Sequence, residues 1–92
     1  MLNDDILAIL KNDLLISTNA QDSFLKYTIE TARRNIETEG ITIQDTISDG
    51  MLIEMYAAHL YRTRREPAPM PRMLRWALNN RLLHEKGALS DG

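Results

Sequence analysis

The sequence contains no cysteine, which excludes a disulfide framework, a thiol nucleophile and cysteine-ligated zinc. Its two histidines, His59 and His84, stand too far apart for a local metal motif. The acidic residues near them follow no ligand spacing, and His59, in an apolar stretch, reads as a packed or interfacial side chain. The four glycines are scattered and make no phosphate-binding loop. The five aromatic residues are few. Tyr27, Tyr56, Tyr61 and Trp76 sit at helical spacings and read as core side chains rather than as a base-stacking platform. Ser17, Ser23 and Ser48 have no neighbouring base. Asp4 and Asp5 read better as complements to a helix dipole than as a catalytic carboxylate pair. No apolar run approaches the roughly 20 residues that a membrane span needs. Asp4 and Asp5 also stand where a signal peptide would carry positive charge, so the expected product is soluble and cytosolic. The expectation is therefore a protein without catalytic, metal-binding or cofactor-binding residues.

Charge of both signs is present, but unevenly. The 92 residues carry a net charge of −2. Residues 1–50 hold nine acidic and four basic groups, a net of −5, while residues 51–92 hold seven basic and four acidic, a net of +3. Six of those seven bases are arginine, whose planar fork matches carboxylate and phosphate and stays charged at any relevant pH. One half is thus suited to meet an acidic partner, either DNA or the acidic half of another copy. An apolar fraction of 43% is ordinary for a folded chain, and this length suggests one domain with one modest core.

The apolar pattern predicts four helices. The first spans about Asn3 to Asn12, with Asn3 as N-cap and Ile6, Leu7 and Leu10 on its apolar face. Leu14, Leu15 and Ile16 then form a loop expected to pack inward. The second is expected from Ala20 to Glu39, capped by Asn19 with Asp22 as a capping-box partner and stopped by Gly40. Leu25, Ile29, Ala32 and Ile36 recur in it at helical spacing. At about 30 Å it would be a long central helix. On its outer face Glu30, Arg33, Arg34 and Glu37 stand at spacings where opposite charges meet. Ile41-Thr42-Ile43 is β-branched but too short to imply a sheet. The third helix is capped by Thr46 or Ser48, turns Leu52, Ile53, Tyr56, Ala57 and Leu60 to the core, and ends before Pro67. The fourth opens at Pro71, buries Met73, Leu74, Ala77, Leu78 and Leu82, places Trp76 near the edge, and closes at Lys86-Gly87. The expected architecture is all-α: a small bundle of about four helices over residues 1–87, with 88–92 as a free tail.

The strongest anomaly is the arginine group around the proline break: Arg62, Arg64, Arg65, Arg72 and Arg75. All three prolines of the chain lie between Pro67 and Pro71. Such a group either forms a solvated helix end, with Arg62 and Arg65 reaching Glu54 or Glu66, or binds a phosphate backbone or an acidic protein surface. Two facts oppose sequence-specific DNA reading. The pI is 5.6, and no polar recognition helix follows a tight glycine turn. Met70 and Met73 beside the break suit adaptable contacts.

The order of these parts resembles the small head–tail connector, or head-completion, proteins of tailed bacteriophages. The likeness runs over about residues 3 to 85. It rests on a short first helix, the Asp22-Ser23-Phe24-Leu25 start of a longer helix with Ala32-Arg33, a third helix closing in Tyr61-Arg62-Thr63-Arg64-Arg65, and Met70-Pro71 before the last. The resemblance implies a virion protein made in the host cytoplasm. It would form a homo-oligomeric ring docked on the portal, presenting a surface to a further connector or tail-completion protein. Genomic DNA would pass through the ring without sequence-specific binding. The family has no catalytic residues to carry over. A ring contact is expected between Arg62, Arg64, Arg65, Arg72 or Arg75 of one copy and Asp22, Glu30 or Glu37 of the next. The alternative is a small helical nucleic-acid-binding protein using the Arg62–Arg75 face, and an enzyme or enzyme inhibitor ranks last.

Overall fold

Why each helix starts and stops where it does is visible in a computed structural model that describes residues 3–90. The helices are α1 (Asn3–Asp13), α2 (Asp22–Thr38), α3 (Ile47–Arg62) and α4 (Arg72–Ser90). Every regular element among the described residues is helical.

The clearest start belongs to α3. Thr46, in an extended conformation, accepts a hydrogen bond at Oγ1 from the Asp49 amide, so the Thr46 choice holds over Ser48. At the other end Thr63 caps the helix through its amide and hydroxyl, both donating to the His59 carbonyl. The stop comes ahead of the proline break, whose rigid φ values could not continue the helix. Gly40 takes φ +107 just past α2, the left-handed position that glycine fills without a side-chain clash.

Several expectations are corrected. Asn3 does not cap α1. Its side chain turns to α2, donating to Glu30 Oε1 at 2.8 Å and accepting from Arg33 Nε and Nη2 at 3.0 and 2.6 Å. Asn19 does not cap α2, because its carboxamide oxygen accepts from Lys11 Nζ at 2.9 Å. Asp22 pairs with the same lysine at 2.8 Å instead of completing a capping box. The helix therefore starts at Asp22, after an uncapped Gln21. At 17 residues it is about 25 Å long, between α3 at 16 and α4 at 19, so length singles out no central helix. Leu15 does not pack inward: it is 90% exposed with φ +59, while Leu14 and Ile16 on either side rest on the core. Tyr27, Trp76 and Met73 are exposed rather than buried. Finally, α4 runs through Gly87 to Ser90, so the expected free tail is helical as far as Ser90, and Asp91 and Gly92 lie outside the described residues.

The core joins α1, α2 and α3. Ile6, Leu7 and Leu10 meet Leu25, Ile29, Ala32 and Ile36, with Leu52, Ile53, Tyr56, Ala57 and Ala58 between them. The hub is α3, which packs against each of the other three helices. Its small Ala57 and Ala58 are fully or almost fully buried, which lets neighbouring backbones come close. By contrast, the described side chains of α4 include only two large, fully buried ones, Leu74 and Leu78. Polar clamps supplement them along the segment between α2 and α3. Arg75 pairs with Glu39 at 2.6 Å, the Thr42 amide donates to Glu85 at 3.1 Å, and Arg81 donates to the Thr42 carbonyl at 2.7 Å. The molecule is elongated, 48 × 28 × 18 Å.

Candidate interaction surface

The sequence picks out five arginines, and the structure sorts them into two kinds. Arg62 and Arg75 are already committed within the protomer. Arg62, in the last turn of α3, pairs with Asp13 at 3.1 Å. Arg75, in the first turn of α4, pairs with Glu39. Arg64, Arg65 and Arg72 have no carboxylate partner among the described residues. Arg64 follows Thr63 in the turn and lies over the Tyr61 ring, 3.7 Å from its centroid, a cation–π contact. Tyr61 in turn meets Phe24 edge-on at 6.2 Å and donates its hydroxyl to Gln21 at 2.9 Å. The end of α3 is thereby joined to the start of α2, and Arg64, which also donates to the Tyr61 carbonyl, is held in place without a carboxylate partner among the described residues. Arg65 and Arg72 are exposed on either side of the proline break.

The expected acidic partners sort the same way. Asp22 is taken by Lys11. Glu30 accepts from Asn3 and lies 3.7 Å from Arg33. Glu37 alone of the three has an exposed side chain without a partner among the described residues. Asp4 and Asp5, in the first turn of α1, are exposed as well.

Two charged groups matter more than the sequence suggests. The first is Asp49, which is buried. Its Oδ2 accepts from the Gln44 amide at 2.6 Å, and its Oδ1 pairs closely with Arg81 of α4. That bond is the main cause raising the Arg81 pKa above its ordinary value. One carboxylate thus ties the linker, the start of α3 and the middle of α4 together. Asp49 could be suspected from the Thr46-x-x-Asp49 cap pattern, whereas no local signal marks Arg81, which lies 32 positions further on.

The second is Glu54, also buried on α3. Desolvation pushes its carboxyl up to about 7; the hydrogen bond and the charge of Asp13 push the same way, against the pull of Arg62. Asp13 is held below the ordinary carboxylate range, first by the hydrogen bond from Glu54 and then by Arg62, with burial opposing. Below about pH 7 Glu54 therefore holds the proton while Asp13 carries the charge that Arg62 neutralises. This trio joins the end of α1 to α3. It answers the expected Arg62–Glu54 contact with Asp13 as the direct partner.

No group of three or more histidine, cysteine or acidic side chains among the described residues could hold a metal ion. No described helix is long and apolar enough to cross a membrane. Comparison with protein-family models, with curated proteins and with solved structures finds no match.

Proposed function

We propose that this chain is a structural assembly subunit of the head–tail connector type. It would form a homo-oligomeric ring that docks on a phage portal, lets DNA pass and offers a surface for tail attachment. One observation carries the reading: exposed side chains of opposite charge, without ion-pair partners among the described residues, stand on different elements. Arg64 and Arg65 project from the turn after α3, without a carboxylate partner among the described residues. Glu37 on α2 and Asp4 and Asp5 on α1 are exposed and unpartnered there too. Unpaired charges of opposite sign on different elements of one protomer suit a heterologous contact, which closes into a ring when the rotation permits. The ring contact is narrowed accordingly to Arg64 and Arg65 of one copy against Glu37, Asp4 or Asp5 of the next. Arg62, Arg75, Asp22 and Glu30 are left to their partners within the protomer.

The second reading, nucleic-acid binding through the Arg62–Arg75 face, is weakened by the same sorting. With Arg62 and Arg75 paired, only Arg64, Arg65 and Arg72 remain to neutralise phosphates. Such a binder would show a log–log salt slope of only about −3.

Light scattering after size separation, across concentration and with or without short duplex DNA, tests the two. The expected result is a large oligomer that grows with concentration, ignores DNA and is lost when Arg64→Glu and Arg65→Glu are combined. A small species that shifts only with DNA, and less as salt rises, overturns the assembly reading in favour of the nucleic-acid one.

A further inference from the structure

While one side of α4 faces α3, the opposite side is bare. Met73, Trp76 and Leu83 are 68%, 63% and 69% exposed. With Asn80 they recur at steps of three and four, which places them in one stripe along the helix. Arg72, Asn79 and Lys86 follow a seven-residue spacing and form a row along one edge of that stripe. Along the other edge runs an open cleft between α4 and the first turns of α3, lined by Ser48, Leu52, Trp76, Arg81, Leu83 and His84. The exposed apolar side chains therefore form a groove wall rather than a bare cylinder.

The unpaired charge around this groove has one sign, because Asp49, which also lines the cleft, is paired with Arg81. Arg72 and Lys86 are exposed and have no partner among the described residues. The single acid of α4, Glu85, is occupied by Arg81 at 3.4 Å and by the Thr42 amide. We propose that this face docks an acidic amphipathic helix of another protein. The partner's apolar side chains would fill the cleft beside Trp76 and Leu83, and its carboxylates would meet Arg72 and Lys86.

A second copy of α4 is the wrong occupant. Parallel pairing sets Arg72 beside Arg72, and antiparallel pairing sets it beside Lys86, so either orientation puts cation against cation. The acid-bearing helices of this chain do not supply the match, because α1 and α2 turn Ile6, Leu7, Leu10, Leu25, Ile29 and Ile36 into the core. A flat lipid surface does not fill a concave cleft. The inference stands apart from ring formation, since it uses none of Arg64, Arg65, Glu37, Asp4 and Asp5.

Trp76 is the only tryptophan, so its emission reports on this groove alone. The probe is a synthetic peptide of about five helical turns, with leucines spaced three and four apart and glutamates elsewhere. Controls carry lysines for the glutamates, or the same residues scrambled. The acidic peptide is expected to shift Trp76 emission to shorter wavelength, saturably and more weakly at high salt, while both controls leave it unchanged. Arg72→Glu combined with Lys86→Glu is expected to weaken binding about tenfold or more without moving the unfolding midpoint. Leu83→Ser should weaken it independently of salt. The proposal is overturned if the acidic peptide gives no shift or if the lysine peptide binds as well. A shift on concentrating the protein alone overturns it in favour of a second copy. A shift with phosphatidylserine vesicles in preference to the peptide overturns it in favour of lipid.

Discussion

Glu54 shows how one buried side chain can govern a whole stability profile. An ionised carboxylate at its position would lose hydration and face the charge of Asp13, so the folded state holds the proton up to about pH 7 against 4.5 in the open chain. Between those values the native state binds more protons than the unfolded one, and stability falls as pH rises through the window. Asp13 acts in the opposite sense and lower down: its contribution is present above 3.8 and is lost as pH falls through its depressed value. Glu54→Gln keeps a hydrogen-bond donor for Asp13 and removes the ionisation. Urea unfolding of the wild type is expected to lose on the order of 2 kcal/mol between pH 5 and pH 8 relative to Glu54→Gln. Identical profiles for the two proteins would place the titration elsewhere. Leu15 is a second residue at odds with its place, left-handed at φ +59 and 90% exposed. An L-residue with a bulky side chain is strained there, and burial returns little. Leu15→Gly is expected to raise the unfolding free energy by up to about 1 kcal/mol, and a drop in the urea midpoint would show that Leu15 has a packing role. The strain had no sequence signal, because Leu14, Leu15 and Ile16 are alike in hydropathy and only the turn decides which one points outward.

Local chemistry set most element boundaries, and those were legible wherever the chemistry was self-contained. Thr46 caps α3 because its own helix supplies the donor, Gly40 ends α2 because its φ demands glycine, and the proline break prevents α3 and α4 from merging. The apolar spacing of α1, α2 and α3 also marked the core correctly. The reading failed where a cap residue had a competing partner across the structure, as with Asn3 and Arg33 or Asn19 and Lys11. It failed too in the arginine group, because sequence shows the abundance of a charge but not which copies are neutralised. Arg75 looked available and is paired, whereas Arg81 drew no notice and carries the most connected ion pair. That pair has a measurable weight. Asp49 is 3% exposed at its side chain and Arg81 22%, so removing either leaves the other desolvated. Asp49→Ala is expected to cost about 2–4 kcal/mol, since it also strips the Gln44 amide of its acceptor. Arg81→Ala is expected to cost a similar amount, because it leaves the buried Asp49 carboxylate without its counter-charge. In a double-mutant cycle the two are expected to couple by more than about 1 kcal/mol, and additive losses would mean that the two side chains act separately.

At the scale of the molecule, the packing divides three helices from one. α1, α2 and α3 share a continuous apolar core, whereas α4 is attached through Leu74 and Leu78, with Ala77 and Leu82 partly buried beside them. The clamps at Glu39, Thr42 and Asp49 supplement these leucines from the linker and the first turn of α3 rather than from the core. A helix held in this way should open while the rest stays folded. Such an opening suits a face meant to receive a partner, because docking onto α4 would stabilise the folded helix by mass action. Native-state hydrogen exchange is expected to show the α4 amides opening at lower free energy than those of Leu25 to Ile36 in α2 and Leu52 to Ala58 in α3. Leu78→Ala should cost about 2–4 kcal/mol. It should bring the α4 opening closer to solvent exchange while the α2 and α3 amides follow only the global change. If the α4 amides instead exchange at the global unfolding free energy in both proteins, the four helices form one cooperative unit. The linker clamps would then be as binding as the core.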